Sequence, residues 1–286
     1  MTHLSFGGDA GPSERPQRLL TVCGGTDIGS QRQQNQDTFV IADLESGRIS
    51  RPCARTDLSV SCPGLLLLVC DGMGGAAAGD VAAQVAAVSI QHELENAGAA
   101  VVRAPGQSLQ HAIVGANQAI LKEAAVHPEE RGMGTTCTAA IVSPDRIAIA
   151  QVGDSRAYLL REEKLRPLTR DQTMAAELLG TGAMTQEQLA RSPFRHILAQ
   201  ALGTRNHVEP VGTDVDLREG DRLLLCSDGL HGPVSDQAIA EILNRTPDAS
   251  LAAEALIAAA IAAGGPDNVT VVMADCGPLR QRATLH

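Results

Sequence analysis

The chain has 286 residues, 44% of them hydrophobic and 20% charged, a balance that lets a globular protein bury a sizeable core. Aromatic residues make up 1% and Trp is absent, so that core has to be built from Ala, Val, Leu and Ile. A net charge of -10 with no Lys/Arg run excludes a nucleic-acid binder, which needs a basic face against phosphate.

In chain order, residues 1–18 are rich in Gly, Pro, Ser and charge and read as a frayed tail without the basic-then-apolar order of a signal peptide. One folded domain is expected over 19–276, with a second tail at 277–286. Strand-like apolar runs occur at 19–23, 38–42 and 65–70, and the polar, Pro- and Arg-containing stretch 43–64 reads as a surface insertion. Helical periodicity covers 79–96 and 107–126, split by a Gly/Pro break at 98–106. Further strands are predicted at 136–142, 147–152 and 157–160, with hairpin signals at Ser143-Pro144-Asp145 and Gly153-Asp154-Ser155.

The segment 171–202 lacks strand character, carries a capping box from Thr185 to Gln188, and reads as a mobile flap. After a strand at 222–226 come a helix at 235–243 with Ser235 as N-cap and an Ala-rich core helix at 250–263 stopped by Gly264 and Gly265. The last strand is 269–274. Strands in blocks and helices in pairs predict an α+β fold, a central antiparallel β-sandwich flanked by helix pairs.

Seven scattered cysteines, an odd number and mostly inside apolar runs, read as buried thiols of a reducing cytoplasm. Cys53 and Cys62 stand in the polar loop without the CxxC spacing of a metal site. No apolar stretch approaches the ~20 residues of a membrane span, so the chain is expected to be cytosolic and to engage no membrane.

The chemistry concentrates at strand ends. The runs ending in Asp71, Asp154 and Asp228, and those opening at Asp37 and Asp267, each hand a carboxylate to a sheet rim. Should these rims coincide, the converging carboxylates repel one another and require hard divalent cations such as Mg²⁺ or Mn²⁺. One Asp-Gly pair is an ordinary turn; several after pure apolar runs are harder to dismiss.

The ordered series Thr26-Asp27-Ile28-Gly29, Arg32, Asn35-Gln36-Asp37, Asp71-Gly72-Met73-Gly74-Gly75, Gly132-Met133-Gly134-Thr135-Thr136, Gly153-Asp154-Ser155-Arg156, Ser227-Asp228-Gly229-Leu230 and Asp267-Asn268-Val269-Thr270 resembles the motifs of the protein phosphatase 2C family over about residues 21–275. The resemblance implies layers of α-β-β-α, with metals at one end of the sandwich. It implies that Asp71 bridges two Mn²⁺ or Mg²⁺ ions, that the Gly72 carbonyl binds one of them, and that Asp228 and Asp267 complete the other site. Asp37 would support bound waters, Asp154 with Asp228 would form the weaker third metal site of bacterial members, and Arg32 would hold the substrate phosphate.

The implied activity is hydrolysis of phosphoserine and phosphothreonine in phosphorylated protein substrates. A metal-bridging hydroxide would attack phosphorus without a phosphoenzyme, in a monomer that opposes a bacterial Ser/Thr kinase. The alternative is an inactive phosphoprotein-binding module of the same fold, against which the intact Asp71, Asp228 and Asp267 argue.

There are departures from the family pattern. Met73 stands where eukaryotic relatives have a His, Gln36 where other members have Glu, and Gln172 where a His is common. Arg156 is read as a structural partner of Asp154, and His231 and His196 as solvated loop residues, with water polarised near Asp154 and Asp228 as the expected proton source for the leaving group.

Overall fold

The computed structural model describes residues 16–50, 55–74, 78–185, 187–188 and 197–280. Among these residues thirteen strands form two antiparallel sheets packed face to face. The first sheet takes β1 (Gln17–Asp27), β4 (Thr56–Val60), β9 (Arg156–Arg161), β10 (Lys164–Pro167), β12 (Arg222–Cys226) and β13 (Val269–Arg280), in the order β10-β9-β12-β13-β1-β4. The second takes β2 (Asp37–Asp43), β3 (Arg48–Ser50), β5 (Leu65–Met73), β7 (Cys137–Val142), β8 (Arg146–Val152) and β11 (Val211–Asp216), in the order β11-β8-β7-β5-β2-β3, with the two-residue β6 (Gly134–Thr135) against β5.

Two long helices, α1 (Ala78–Ala97) and α3 (Pro105–Val126), cover the second sheet; α6 (Asp236–Arg245) and α7 (Ala249–Ala262) cover the first. The described residues also include the short α2 (Ala99–Arg103), α4 (Met174–Gly180) and α5 (Asp228–His231) and a 3-10 turn at Pro128–Glu130. The result is the expected α-β-β-α sandwich.

Burial explains why β5 is an unbroken apolar run instead of an alternating one. Leu66, Leu68 and Cys70 pack under α1 and α3, whereas Leu65, Leu67 and Val69 face the other sheet. Both faces of the run 65–70 are therefore dry, and a polar side chain anywhere within it would be buried between sheet and helices or between the sheets. The Ala-rich faces of α1 and α7 do the same work from outside, small side chains letting helix and sheet approach closely.

Several expectations need correction. The Gly/Pro break at 98–106 holds α2, whose Val101 is buried. The stretch 43–64 is no plain insertion, because it supplies β3 to one sheet and β4 to the other, and Leu58 and Val60 of β4 reach the inter-sheet core. Gly153-Asp154-Ser155 is not a hairpin: β8 and β9 lie in different sheets, and the turn carries the chain between them.

Strand β11 was not predicted, since its exposed edge position leaves VGTDVD without apolar alternation. The tail boundaries also shift. Gln17 pairs with Arg280 and Arg18 with Leu279, and the buried Arg18 donates to the carbonyls of Pro144 (2.8 Å) and Gly277 (3.1 Å). Residues 1–15 and 281–286, Cys53, Gly75, His196 and part of the expected flap lie outside the described residues. The capping box is present, with Thr185 N–H on Gln188 Oε1 at 2.8 Å and Gln188 N–H on Thr185 Oγ1 at 3.3 Å.

Five cysteine thiols, those of Cys23, Cys70, Cys137, Cys226 and Cys276, are buried. Among the described residues no helix is long and apolar enough to cross a membrane. Leu67→Ala, at a fully buried position between the sheets, should cost about 2–5 kcal/mol in urea denaturation. Val88→Ala, at 65% exposure on α1, should stay within about 0.5 kcal/mol of wild type. Equal losses at the two positions would show that β5 is not the buried centre of the fold.

Candidate functional site

Strands β5, β12 and β13 and the β8–β9 connection all present an end to the same side of the sandwich. There they surround a cleft of about 750 Å³. Asp71 comes from the end of β5, Asp228 from the start of α5 immediately after β12, Asp267 from the residues leading into β13, and Asp154 from the β8–β9 turn. Gly72, Gln36, Met73 and Arg32 also line it. Asp37 stands behind this wall, paired in register with Asp71 across β2 and β5 and almost wholly buried.

The backbone under these side chains is tied by polar groups whose role was not apparent from the sequence. Asp71 N–H donates to Thr136 Oγ1 at 3.0 Å, and the Asp71 carbonyl accepts from Thr136 N–H and Thr135 Oγ1, both at 2.9 Å. Ser227 Oγ donates to Asp37 Oδ2 at 2.7 Å while accepting Thr270 N–H at 3.0 Å, so one hydroxyl links β12, β13 and β2. The Asn268 side-chain amide donates to the carbonyls of Ile28 and Gln34 and accepts Gln36 N–H, all at 2.9 Å.

That amide pins the loop carrying Arg32 to the residue beside Asp267. Gly229 after Asp228 is demanded by close approach, since a Cβ there would lie 1.8 Å from the Asn268 carbonyl oxygen. The motif strings contain all of these residues, but nothing in their local pattern distinguishes a structural hydroxyl from an incidental one.

The electrostatics are those of carboxylates forced together. Burial, reinforced by Asp37, Asp228, Asp154 and Asp267, raises the Asp71 pKa well above the usual carboxylate range. Asp37 is pushed up to about 7, first by burial and further by Asp228 and Asp267, against the lowering effect of the Ser227 hydrogen bond. Asp154 is pushed up to about 8 by burial and then by Asp228 and Asp171.

Asp37 Oδ1 is buried and makes no hydrogen bond among the described residues. Within the same residues, no three His, Cys, Asp or Glu side chains are already closed into a metal cage. The carboxylates ring an open cleft, and their oxygen-only donor set, with its raised proton affinity, suits hard divalent cations.

Arg32 is half exposed at the rim and donates to Asp267 Oδ2 at 2.6 Å. Two sequence readings are overturned here. Arg156 does not pair with Asp154; its guanidinium grips both oxygens of Asp171 at 2.7 Å, because the turn directs Asp154 into the cleft and leaves Asp171 alongside β9. Nor is His231 a solvated loop residue: it sits on α5 with Nε2–H donating to the Asp154 carbonyl at 3.0 Å, and burial lowers its pKa to about 4, so the ring is neutral at pH 7.

The sequence profile of the protein phosphatase 2C family matches residues 54–261. Among characterised relatives, the serine/threonine protein phosphatase PstP of Mycobacterium tuberculosis is 41% identical over 224 residues, covering 78% of this chain and 42% of that protein. The serine/threonine phosphatase stp of Listeria innocua is 37% identical over 211 residues, covering 73% of this chain and 84% of the relative. The chain thus spans less than half the length of PstP and most of the length of stp.

The crystal structure of the catalytic domain of PstP in complex with two manganese ions superposes with a TM-score of 0.73 at 35% identity, covering 91% of this chain and all of that one. The matching profile, the identity to these phosphatases and the matching fold lead to one conclusion: the chain belongs to the protein phosphatase 2C family.

Proposed function

We propose that this chain is a metal-dependent protein phosphatase that hydrolyses phosphoserine and phosphothreonine in phosphorylated proteins. The observation that carries the reading is the convergence of Asp71, Asp228 and Asp267 on one cleft with a guanidinium, Arg32, at its rim. The names of the relatives, serine/threonine phosphatases, support the substrate class. By its likeness to these phosphatases we also take it to be a monomer acting opposite a Ser/Thr kinase, and its buried free thiols fit a reducing compartment such as the cytoplasm.

Asp71, Asp228 and Asp267, with the Gly72 carbonyl, would hold two Mn²⁺ or Mg²⁺ ions; Asp37 would support their waters, and Asp154 with Asp228 a third ion. When bound, such ions supply Lewis acidity and a water acidic enough to attack phosphorus at neutral pH. The chain contributes the rest. Arg32 offers a permanently charged fork that fits phosphate oxygens and orients the ester in the cleft. Ser227 holds the Asp37 carboxylate in place behind the cleft wall, and Asn268 keeps the Arg32 loop against the residue beside Asp267. The one Cys-x5-Arg string of the chain, Cys276 to Arg282, starts on β13, and Cys276 is not among the residues lining the cleft, so it supplies no nucleophile there.

Phosphopeptide hydrolysis should therefore need Mn²⁺ or Mg²⁺ and stop in excess EDTA, and Asp71→Asn should lower turnover by about two orders of magnitude or more. Full activity with chelator present, or a variant within a few-fold of wild type, would remove the metal reading.

A second expectation concerns stability in chelator. Asp37 and Asp154 have raised folded-state pKa values, so between roughly pH 4 and 8 the folded protein holds more protons than the unfolded chain and stability falls as pH rises. The melting temperature in EDTA should be lower at pH 8.5 than at pH 5.5, and added Mn²⁺ should raise it more at pH 8.5. A flat profile, or one rising with pH, would mean that the carboxylates do not strain the fold.

The third concerns the leaving-group proton. His231 is neutral at pH 7 and commits its Nε2 proton to the Asp154 carbonyl, so it is not placed as a general acid. His231→Ala should lower turnover of a phosphopeptide and of p-nitrophenyl phosphate by the same factor, since only the alkoxide needs a proton to leave. A loss confined to the phosphopeptide would assign that proton to the imidazole.

A further inference from the structure

Asp154 occupies an unusual place. The connection from β8 to β9 crosses between sheets, so no ladder partner holds it. Its first residue, Gly153, has φ +105° and presses against Thr136, where a Cβ would lie 2.7 Å from the Thr136 Cβ. The turn must therefore be held through its backbone: Gln151 Nε2 donates to the carbonyls of Gly153 (3.2 Å) and Ser155 (2.8 Å), Thr138 Oγ1 to that of Ser155 and His231 to that of Asp154, and the remaining Gly153 N–H is taken by Gln172.

Gln172 Oε1 accepts Gly153 N–H at 2.8 Å, and Gln172 N–H donates back to the Gly153 carbonyl at 2.9 Å. On its other side, the Gln172 carbonyl accepts Ala199 N–H at 2.7 Å, and two residues on, Met174 N–H donates to the Ile197 carbonyl at 2.8 Å. Ile197 and Leu198 form part of the cleft wall facing the carboxylates. Asp171, the preceding residue, is anchored by Arg156, so the backbone at 172 is fixed on both sides.

We propose that Gln172 is a positioning residue: its side-chain oxygen sets the place of Asp154 in the cleft and ties it to the Ile197–Leu198 wall. Only an acceptor of this length serves. Because Gly153 presents an N–H, the amide oxygen has to face it, and the Gln172 Nε2 is turned to a buried position where it makes no hydrogen bond among the described residues. A leucine would fill the same space but leave Gly153 N–H buried and unpaired; a glutamate would keep the acceptor; an asparagine would withdraw it by one methylene. The catalytic consequence rests on reading Asp154 as part of the metal-binding cluster, whereas the clip itself does not.

The test is amide hydrogen exchange by NMR on the full chain, in wild type, Gln172→Leu and Gln172→Glu, joined to steady-state kinetics with Mn²⁺. In Gln172→Leu, the amide of Gly153 should exchange about tenfold faster or more, as expected for loss of its only side-chain acceptor, while the core amides of Leu67 and Leu225 keep wild-type rates. Gln172→Glu should return the Gly153 amide towards the wild-type rate. Phosphopeptide kcat in Gln172→Leu should fall about tenfold with KM changed by less than about twofold, as for a misplaced catalytic group with substrate binding intact.

Unchanged Gly153 exchange in Gln172→Leu, or acceleration shared with the core amides, would overturn the proposal; so would accelerated exchange with wild-type kcat. If Gln172→Leu does not fold, Gln172→Asn takes the same measurements and decides in the same way. Local exchange behaving as described in a protein whose wild type shows no phosphatase activity would uphold the clip and instead remove the functional reading.

Discussion

Carboxylates brought close together repel one another, and this protein gathers five of them, two buried and three partly buried, at one end of a sandwich. Burial alone disfavours their charged forms, and each neighbour adds to the effect, which is why Asp37, Asp71 and Asp154 all hold protons far more tightly than ordinary aspartates. Such an arrangement persists only if the surrounding fold over-determines the position of every carboxylate. The rest of the structure around the cleft can be understood as meeting that demand.

The rigid part is the pair of sheets. β5 is dry on both faces and carries Asp71 out of the core at its end; β12 and β13 do the same for Asp228 and Asp267 from the facing sheet. A strand end is a good place for a functional carboxylate because the backbone behind it is held by ladder bonds, while the side chain itself emerges from the apolar layer. Polar groups then pin what the ladders leave loose. The Thr136, Ser227 and Asn268 side chains each bridge separate elements, so that the carboxylates are positioned relative to each other and not only relative to their own strands.

Second contacts can matter as much as first ones at such a site. Arg156 stands two residues from Asp154 yet neutralises Asp171, and it thereby anchors the segment that reaches across to Gly153 and the cleft wall. His231 stands three residues from Asp228 yet donates to the Asp154 carbonyl, joining α5 to the β8–β9 turn. Both side chains serve the site through backbone they hold in place. The guanidinium of Arg32 contrasts with them: it stands half exposed at the rim of the cleft, while its loop is fixed from below by Asn268.

Much of this was legible in the chain itself, for reasons of period and punctuation. Short uninterrupted apolar runs such as 65–70 and 223–226, bounded by turn signals, read as doubly buried strands, 3.6-residue periodicity marks α1 and α3, and an Asp directly after such a run is expected at a sheet rim. The order of the motifs then placed Asp37, Asp71, Asp154, Asp228 and Asp267 in one functional group, and the structure brings them to one end of the fold. What only the tertiary structure decided is partnership. That 43–64 contributes an edge strand to each sheet, that 153–155 crosses between sheets, that Arg156 takes Asp171, and that Gln172 holds Gly153 all depend on which distant segments meet. Periodicity records only whether a residue faces apolar or polar surroundings; the identity of a hydrogen-bond partner is set by distances across the packed sheets, which no local pattern encodes.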